Sequence, residues 1–157
     1  IQFYIPLNCQ RTSPAKKRAE KKMIPAKKND LTRTVDLFLD RNAPCRHLLI
    51  LSDSGMGKTT FAINFYLQNQ NRPEKKRHKL VLIPLGTQSS DQLIMSVSDK
   101  NNTVLFLDDL DGDKKAFQDP HGRLRQLIDQ TKNYKRVIIT ASIDFIPKVN
   151  HLPTQKG

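Results

Sequence analysis

From His47 onward the chain alternates short apolar runs with stretches of helical period. The runs at residues 47–52, 79–84, 103–108 and 136–141 are strings of Leu, Ile, Val and Phe with almost no in–out alternation. Continuous apolarity over a strand length is what a parallel strand covered by helices on both faces requires. Between the runs, apolar residues recur at helical spacing. Phe61, Ile63, Phe65 and Tyr66 predict a helix from Lys58 to about Gln70; Leu93, Ile94 and Val97 predict a short one near 90–97; Leu124, Leu127 and Ile128 share one face of another near 121–132. Strand–helix–strand units with short loops predict an α/β fold, a three-layer sandwich around a mainly parallel sheet.

Upstream of His47 the pattern is looser. Residues 1–8 are apolar and extended, with Pro6 excluding a helix interior. Residues 14–28 suit a basic helix broken before Pro25. Asn29 or Asp30 would cap a further helix that puts Leu31, Val35, Phe38 and Leu39 on one face and stops at residues 41–44. The expected division is an extended lead-in and basic linker over 1–29, a core over 30–150, and a polar tail over 151–157. A first residue Ile1 and that tail lead us to expect an excerpt of a longer protein.

The polar motifs all sit at the carboxyl ends of the runs, where ligands of open α/β sheets bind. After the first run come Ser52, Asp53, Ser54, Gly55, Met56, Gly57, Lys58, Thr59 and Thr60. A strand, a glycine-containing turn and Gly-Lys-Thr opening a helix is the P-loop arrangement. Glycines let successive N–H groups face a phosphate, and the helix adds its positive dipole end. Lys58 would reach the β- and γ-phosphates, and the Thr59 hydroxyl would bind Mg²⁺. Ser52 stands where the strict pattern has glycine. The third run ends in Asp108-Asp109-Leu110-Asp111-Gly112-Asp113, the position of a Walker B motif, 50 residues after Lys58. Asp108, which terminates the apolar run, is the candidate Mg²⁺ ligand; Asp109 and Asp111 compete to activate the attacking water. A Ca²⁺ loop is excluded because the bidentate Glu it needs is absent. The fourth run ends in Thr140-Ala141-Ser142, where Ser142 could sense the γ-phosphate. The four histidines have no metal spacing, and there is neither a G-x-S-x-G nor a G-x-G-x-x-G motif.

The net charge of +12 changes the list of partners. Residues 11–28 sum to +7 and residues 72–79 to +4, so the excess lies in two segments, neither with an aromatic residue for base stacking. A solvated linker and loop account for it; contact with nucleic acid or another acidic partner is the alternative. Cys9 and Cys45 make no disulfide framework and fit free thiols in a reducing cytoplasm. No apolar run has the roughly 18 residues of a membrane span.

Taken together, Gly55-Met56-Gly57-Lys58-Thr59-Thr60, Leu107 to Asp113 and residues 137–147 resemble the NACHT-type NTPases of the STAND class, bacterial members above all, related to NOD-like receptors. Pro84-Leu85-Gly86 and Phe145-Ile146-Pro147 fit as well, and the resemblance covers nearly the whole chain. It implies an AAA+/STAND-like sandwich with the fourth strand between the P-loop strand and the Asp108 strand. It also implies an ATP-binding switch, weakly ATP-hydrolysing with Mg²⁺, from a signalling or antiviral-defence protein. The switch would alternate between ADP and ATP states and self-associate through regions beyond this chain. Asp111 matches the family's distal acidic residue. Ser52, Asp109, Gly112 and Ser142 depart from the pattern, the last three at water-activating and phosphate-sensing positions. An inactive remnant of such a domain, or a nucleic-acid-binding P-loop protein, are the competing expectations.

Overall fold

The computed structural model describes residues 8–9, 29–40 and 45–145. The chain forms two compact units, Ile1–Ala43 and Pro44–Gly157. In the first, β1 (Asn8–Cys9) pairs antiparallel with β2 (Asn29–Asp30), and α1 (Leu31–Asp40) follows directly. Asp30, not Asn29, caps the helix, its carboxylate accepting the Thr32 N–H at 2.8 Å. Leu31, Val35 and Leu39 are buried on α1 at the expected spacing. The expected basic helix over 14–28, the stop at 41–44 and the tail over 151–157 lie outside the described residues, as does most of the lead-in.

The second unit is the expected α/β layer structure. Its strands are β3 (His47–Ser52), β4 (Lys79–Pro84), β5 (Thr103–Asp108) and β6 (Arg136–Ser142). All pair in parallel in the order β3-β6-β5-β4, so the fourth run does lie between the first and the third. Parallel pairing in register sets all strand ends level: Ser52 lies opposite Ser142, and Pro84 opposite Asp108. Central β5 is wholly buried and β6 nearly so, whereas the outer strands are partly exposed.

One face of the sheet takes α2 (Lys58–Gln70), whose Phe61 and Phe65, with ring centroids 5.8 Å apart, pack on Phe106 at 6.3 and 6.4 Å. Such aromatic pairs add about 0.5–1.5 kcal/mol each beyond the area they bury. The other face takes α3 (Ser90–Ser96), α4 (Lys114–Gln118) and α5 (Pro120–Gln130), which bring Ile94, Ala116, Leu124 and Leu127 onto Leu105, Leu107 and Ile139. Tyr134 closes this core, its hydroxyl donating to the Ile94 carbonyl, and burial pushes its pKa up to about 12.

Three expectations need correction. Ile63 and Leu93 are exposed, because the buried stripes run instead through Phe61, Ala62 and Phe65 on α2 and through Ile94 on α3. The last helix begins at Pro120, capped by the Asp119 carboxylate, and ends at Gln130. Helix α4 has no counterpart in the apolar pattern: its one buried residue is Ala116, and Phe117 is 80% exposed. No helix among the described residues is long and apolar enough to cross a membrane.

Candidate functional site at the carboxyl ends of the strands

The loop 53–57 leaves β3 and turns into α2 through two left-handed glycines, Gly55 at φ +78° and Gly57 at φ +83°. A Cβ on Gly55 would meet nothing within 4 Å, so what demands glycine there is the torsion and not crowding. Ser52 avoids that demand. It is the last residue of β3 in extended conformation, and Asp109 alone has positive φ among the described non-glycine residues. The serine therefore costs the turn no backbone strain. First-turn N–H groups of a helix have no intrahelical acceptor; here they belong to Lys58, Thr59 and Thr60, and the Phe61 N–H is the first to bond back, to Gly57 O at 2.8 Å.

Lys58 is 9% exposed. Its ammonium turns back over the loop, 3.4 Å from both the Asp53 carbonyl and the Ser142 hydroxyl. Both contacts are at the weak limit of hydrogen bonding. Thr59 and Thr60 lie in the first turn and are exposed, as are Ser54 and Met56. The Met56 N–H bonds the Asp53 carbonyl at 3.3 Å, so Asp53 braces the loop through its backbone.

The acidic residues diverge in their environments. Asp108 is buried, and its Oδ1 accepts from the Thr140 hydroxyl at 2.7 Å. Among the described residues no hydrogen bond reaches its second oxygen. Thr140 also accepts the Asp109 N–H at 2.9 Å, so one side chain of β6 orients two consecutive acidic residues of the β5 end. Asp109 sits at φ +64°, a conformation that Asp and Asn tolerate better than most residues. Burial raises its pKa first, then the charges of Asp111 and Asp108, with Lys58 partly offsetting them. Its carboxylate occupies the space beside Gly112: a Cβ there would lie 2.3 Å from Asp109 Oδ2. The unusual residues at 109 and 112 thus fit each other. Asp111 is committed elsewhere. Its Oδ1 accepts the Ser142 N–H at 2.8 Å and its Oδ2 accepts the Ser142 hydroxyl. Lys58, Ser142 and Asp111 form one chain of polar contacts across the strand ends.

The structure thus brings the Lys58 ammonium together with Ser142, Asp111 and the Asp53 carbonyl, and sets Asp109 within the electrostatic reach of Lys58. Two residues that the sequence singled out only as parts of motifs act as supports. Thr140 orients the aspartates, and Gly86 allows close approach, since a Cβ there would lie 3.3 Å from the Gly112 carbonyl. A buried ion network lies beyond them. Arg123 donates to Asp113 through Nε and to Asp91 through a terminal nitrogen, both at 2.7 Å, and Lys115 joins Asp91 at 2.5 Å. Its signal was legible: Arg123 shares the apolar stripe of Leu124 and Leu127, and an arginine there needs buried carboxylates.

Among the described residues no three or more His, Cys, Asp or Glu side chains converge to hold a metal unaided. Mg²⁺ does not need such a set, because it binds through one or two protein oxygens, water and the substrate phosphates. The second oxygen of Asp108 and the hydroxyl of exposed Thr59 are oxygen donors of that kind. No protein-family model matches the chain, and no curated protein matches it.

Proposed function

We propose that residues 52–60, 108–111 and 142 form a nucleoside-triphosphate site, and that the chain is an ATP-binding switch module with slow Mg²⁺-dependent hydrolysis. The observation that carries this reading is the pair of left-handed glycines directly before a helix whose buried lysine turns back to the end of the neighbouring strand. The loop amides and the first turn of α2 would bind the phosphates. Lys58 would exchange its two weak contacts for the β- and γ-phosphate oxygens. Asp108 and Thr59 would hold Mg²⁺, which would neutralise phosphate charge. Of the two aspartates proposed to activate water, Asp109 is the base, because its carboxyl is held more basic than usual and Asp111 spends both oxygens on Ser142. Asp111 positions Ser142, the group that would sense the γ-phosphate. The resemblance to NACHT-type switches supports the assignment of ATP and a place in a signalling or defence protein.

A second reading is binding without turnover, favoured by the engagement of Asp111. Calorimetry with Mg-ATP and Mg-ADP on the chain and on Lys58→Ala tests the proposal. Saturable binding that the substitution removes is the expected result. Binding that survives it, or a folded parent that binds neither nucleotide, overturns the site. Binding with no phosphate release in single-turnover assays selects the second reading.

A further inference from the structure

Parallel pairing gathers the four strand starts at the end of the sheet opposite the candidate nucleotide site, and every one of them carries a cation. Arg46 immediately precedes β3, Lys79 opens β4, Lys100 lies in the turn that enters β5, and Lys135 and Arg136 enter β6. Backbone contacts tie these starts together. The Arg46 carbonyl accepts the Val137 N–H at 2.8 Å, and the Lys135 N–H bonds the Lys100 and Thr103 carbonyls at 3.0 and 3.1 Å. The loop 71–78 enters β4 at the same end with Arg72, Lys75, Lys76 and Arg77, and the turn before β6 adds Lys132. This end of the unit holds ten Lys and Arg against Glu74, Asp99 and Asp129. The rest of residues 45–145 holds five against eight carboxylates. Within this unit the charge excess, which in the sequence lay in residues 72–79, is therefore part of a face.

The cations of this face are positioned and in part uncompensated. Arg72 lies 5.7 Å from the Phe65 ring and Lys100 5.9 Å from the Tyr134 ring. Arg77 donates to the Arg72 carbonyl at 3.0 Å, and Arg46 to the Tyr134 carbonyl at 3.3 Å. Lys79 and Lys132 have exposed ion pairs with Asp99 and Asp129. Arg46, Lys75, Lys76, Arg77, Lys100 and Lys135 have no carboxylate partner among the described residues.

We propose that this face binds the phosphate backbone of a nucleic-acid duplex, independently of the nucleotide site. Charge complementarity names a polyanion. A duplex suits the face better than a single strand, because its aromatic rings, Phe65 and Tyr134, are buried and offer bases nothing to stack on. It suits the face better than a membrane, because none of the exposed large apolar residues among the described residues falls in these segments, so they offer nothing to insert among acyl chains. Four strands spaced about 4.8 Å apart set the row of strand-start cations about 14 Å wide. B-DNA presents one phosphate per about 3.4 Å of each strand, so about four are within reach.

The test is fluorescence anisotropy of the full chain with a labelled DNA duplex of about 20 base pairs across a salt series. The expected log–log slope is about −3.6, a loss on the order of 100-fold between about 50 and 200 mM salt. Two triple variants probe the face, Arg46→Gln/Lys100→Gln/Lys135→Gln and Lys75→Gln/Lys76→Gln/Arg77→Gln. Each is expected to flatten the slope by roughly 1 per contacting residue removed, with unchanged melting temperature and unchanged Mg-ATP binding. A duplex bound with parental slope by both variants overturns the proposal, since contact then lies elsewhere, as in residues 11–28. Absence of duplex binding at low salt, with charge-dependent sedimentation on phosphatidylserine vesicles, overturns it in favour of a membrane surface.

Discussion

Single residues at the β5 end decide how the site is built, and their fit is measurable. Asp109 needs Gly112 for space and Thr140 for its backbone N–H. Gly112→Ala should cost about 1–3 kcal/mol of stability by overpacking against the Asp109 carboxylate. The same change in an Asp109→Gly background should cost far less, so urea melts of the four-member cycle should return a coupling of about 1 kcal/mol or more. Asp109→Asn keeps a residue type that accepts positive φ and removes a charge facing Asp108 and Asp111. It should raise the urea midpoint, and under the proposed function it should abolish ATP turnover while leaving Mg-ATP binding in place. His47 supplies a pH effect far from this site. Thr131 gives its hydroxyl proton to the Leu127 carbonyl at 2.6 Å, so it accepts from His47 Nε2–H at 2.9 Å. Burial, and then the Arg46 charge, hold the His47 pKa below its ordinary 6.5. The unfolded chain therefore takes up the proton first. The stability this contributes is whole above 6.5 and is lost as pH falls through the lower folded value. Melting curves from pH 8 to 5 should show that loss in the parent chain and a flatter profile in His47→Gln.

Among the elements, legibility tracked how much of each one's stability comes from its own apolar pattern. The four strands were readable because each is built on an apolar run of strand length, three of them with polar carboxyl ends, and β3, β4 and β5 match the expectation residue for residue. Helix α1 and the buried face of α5 were readable from their spacing. Helix α4 was not, because Asp113 caps it by accepting the Lys115 N–H at 2.9 Å and long-range ion pairs hold it, features no local period reports. The same pairs make a prediction at this scale. Arg123 is 1% exposed at its side chain and touches Asp113 and Asp91, so it joins α3 and α5 to the residue that starts α4. Arg123→Ala leaves Asp113 buried without its counter-charge and should cost about 3–5 kcal/mol in urea denaturation. Arg123→Met with Asp113→Asn, which keeps a capping side chain, should recover most of that loss.

For the whole molecule, periodicity gave the layers but not the strand order, since pattern does not say which parallel strands are neighbours. The resemblance placed only the fourth strand, between the first and the third; the packed sheet adds β4 at the outer edge beside β5. It also explains why the charge distribution was misread along the chain: segments distant in sequence share a pole only once parallel pairing is known. The same topology predicts unequal backbone protection. β5 and β6 bond neighbours on both sides and are buried along nearly their whole length, whereas β3 and β4 each have one strand partner among the described residues. A strand in a parallel sheet alternates its N–H groups between its two sides, so β3 turns about half of its donors away from β6. Native-state hydrogen exchange should show the amides of β5 and β6 opening only with global unfolding, at about 5–15 kcal/mol. Alternate amides of residues 47–52 and 79–84 should exchange at far lower cost. Protection of every amide in β3 would mean that a further segment pairs with its outer side, and would contradict a sheet that ends at β3.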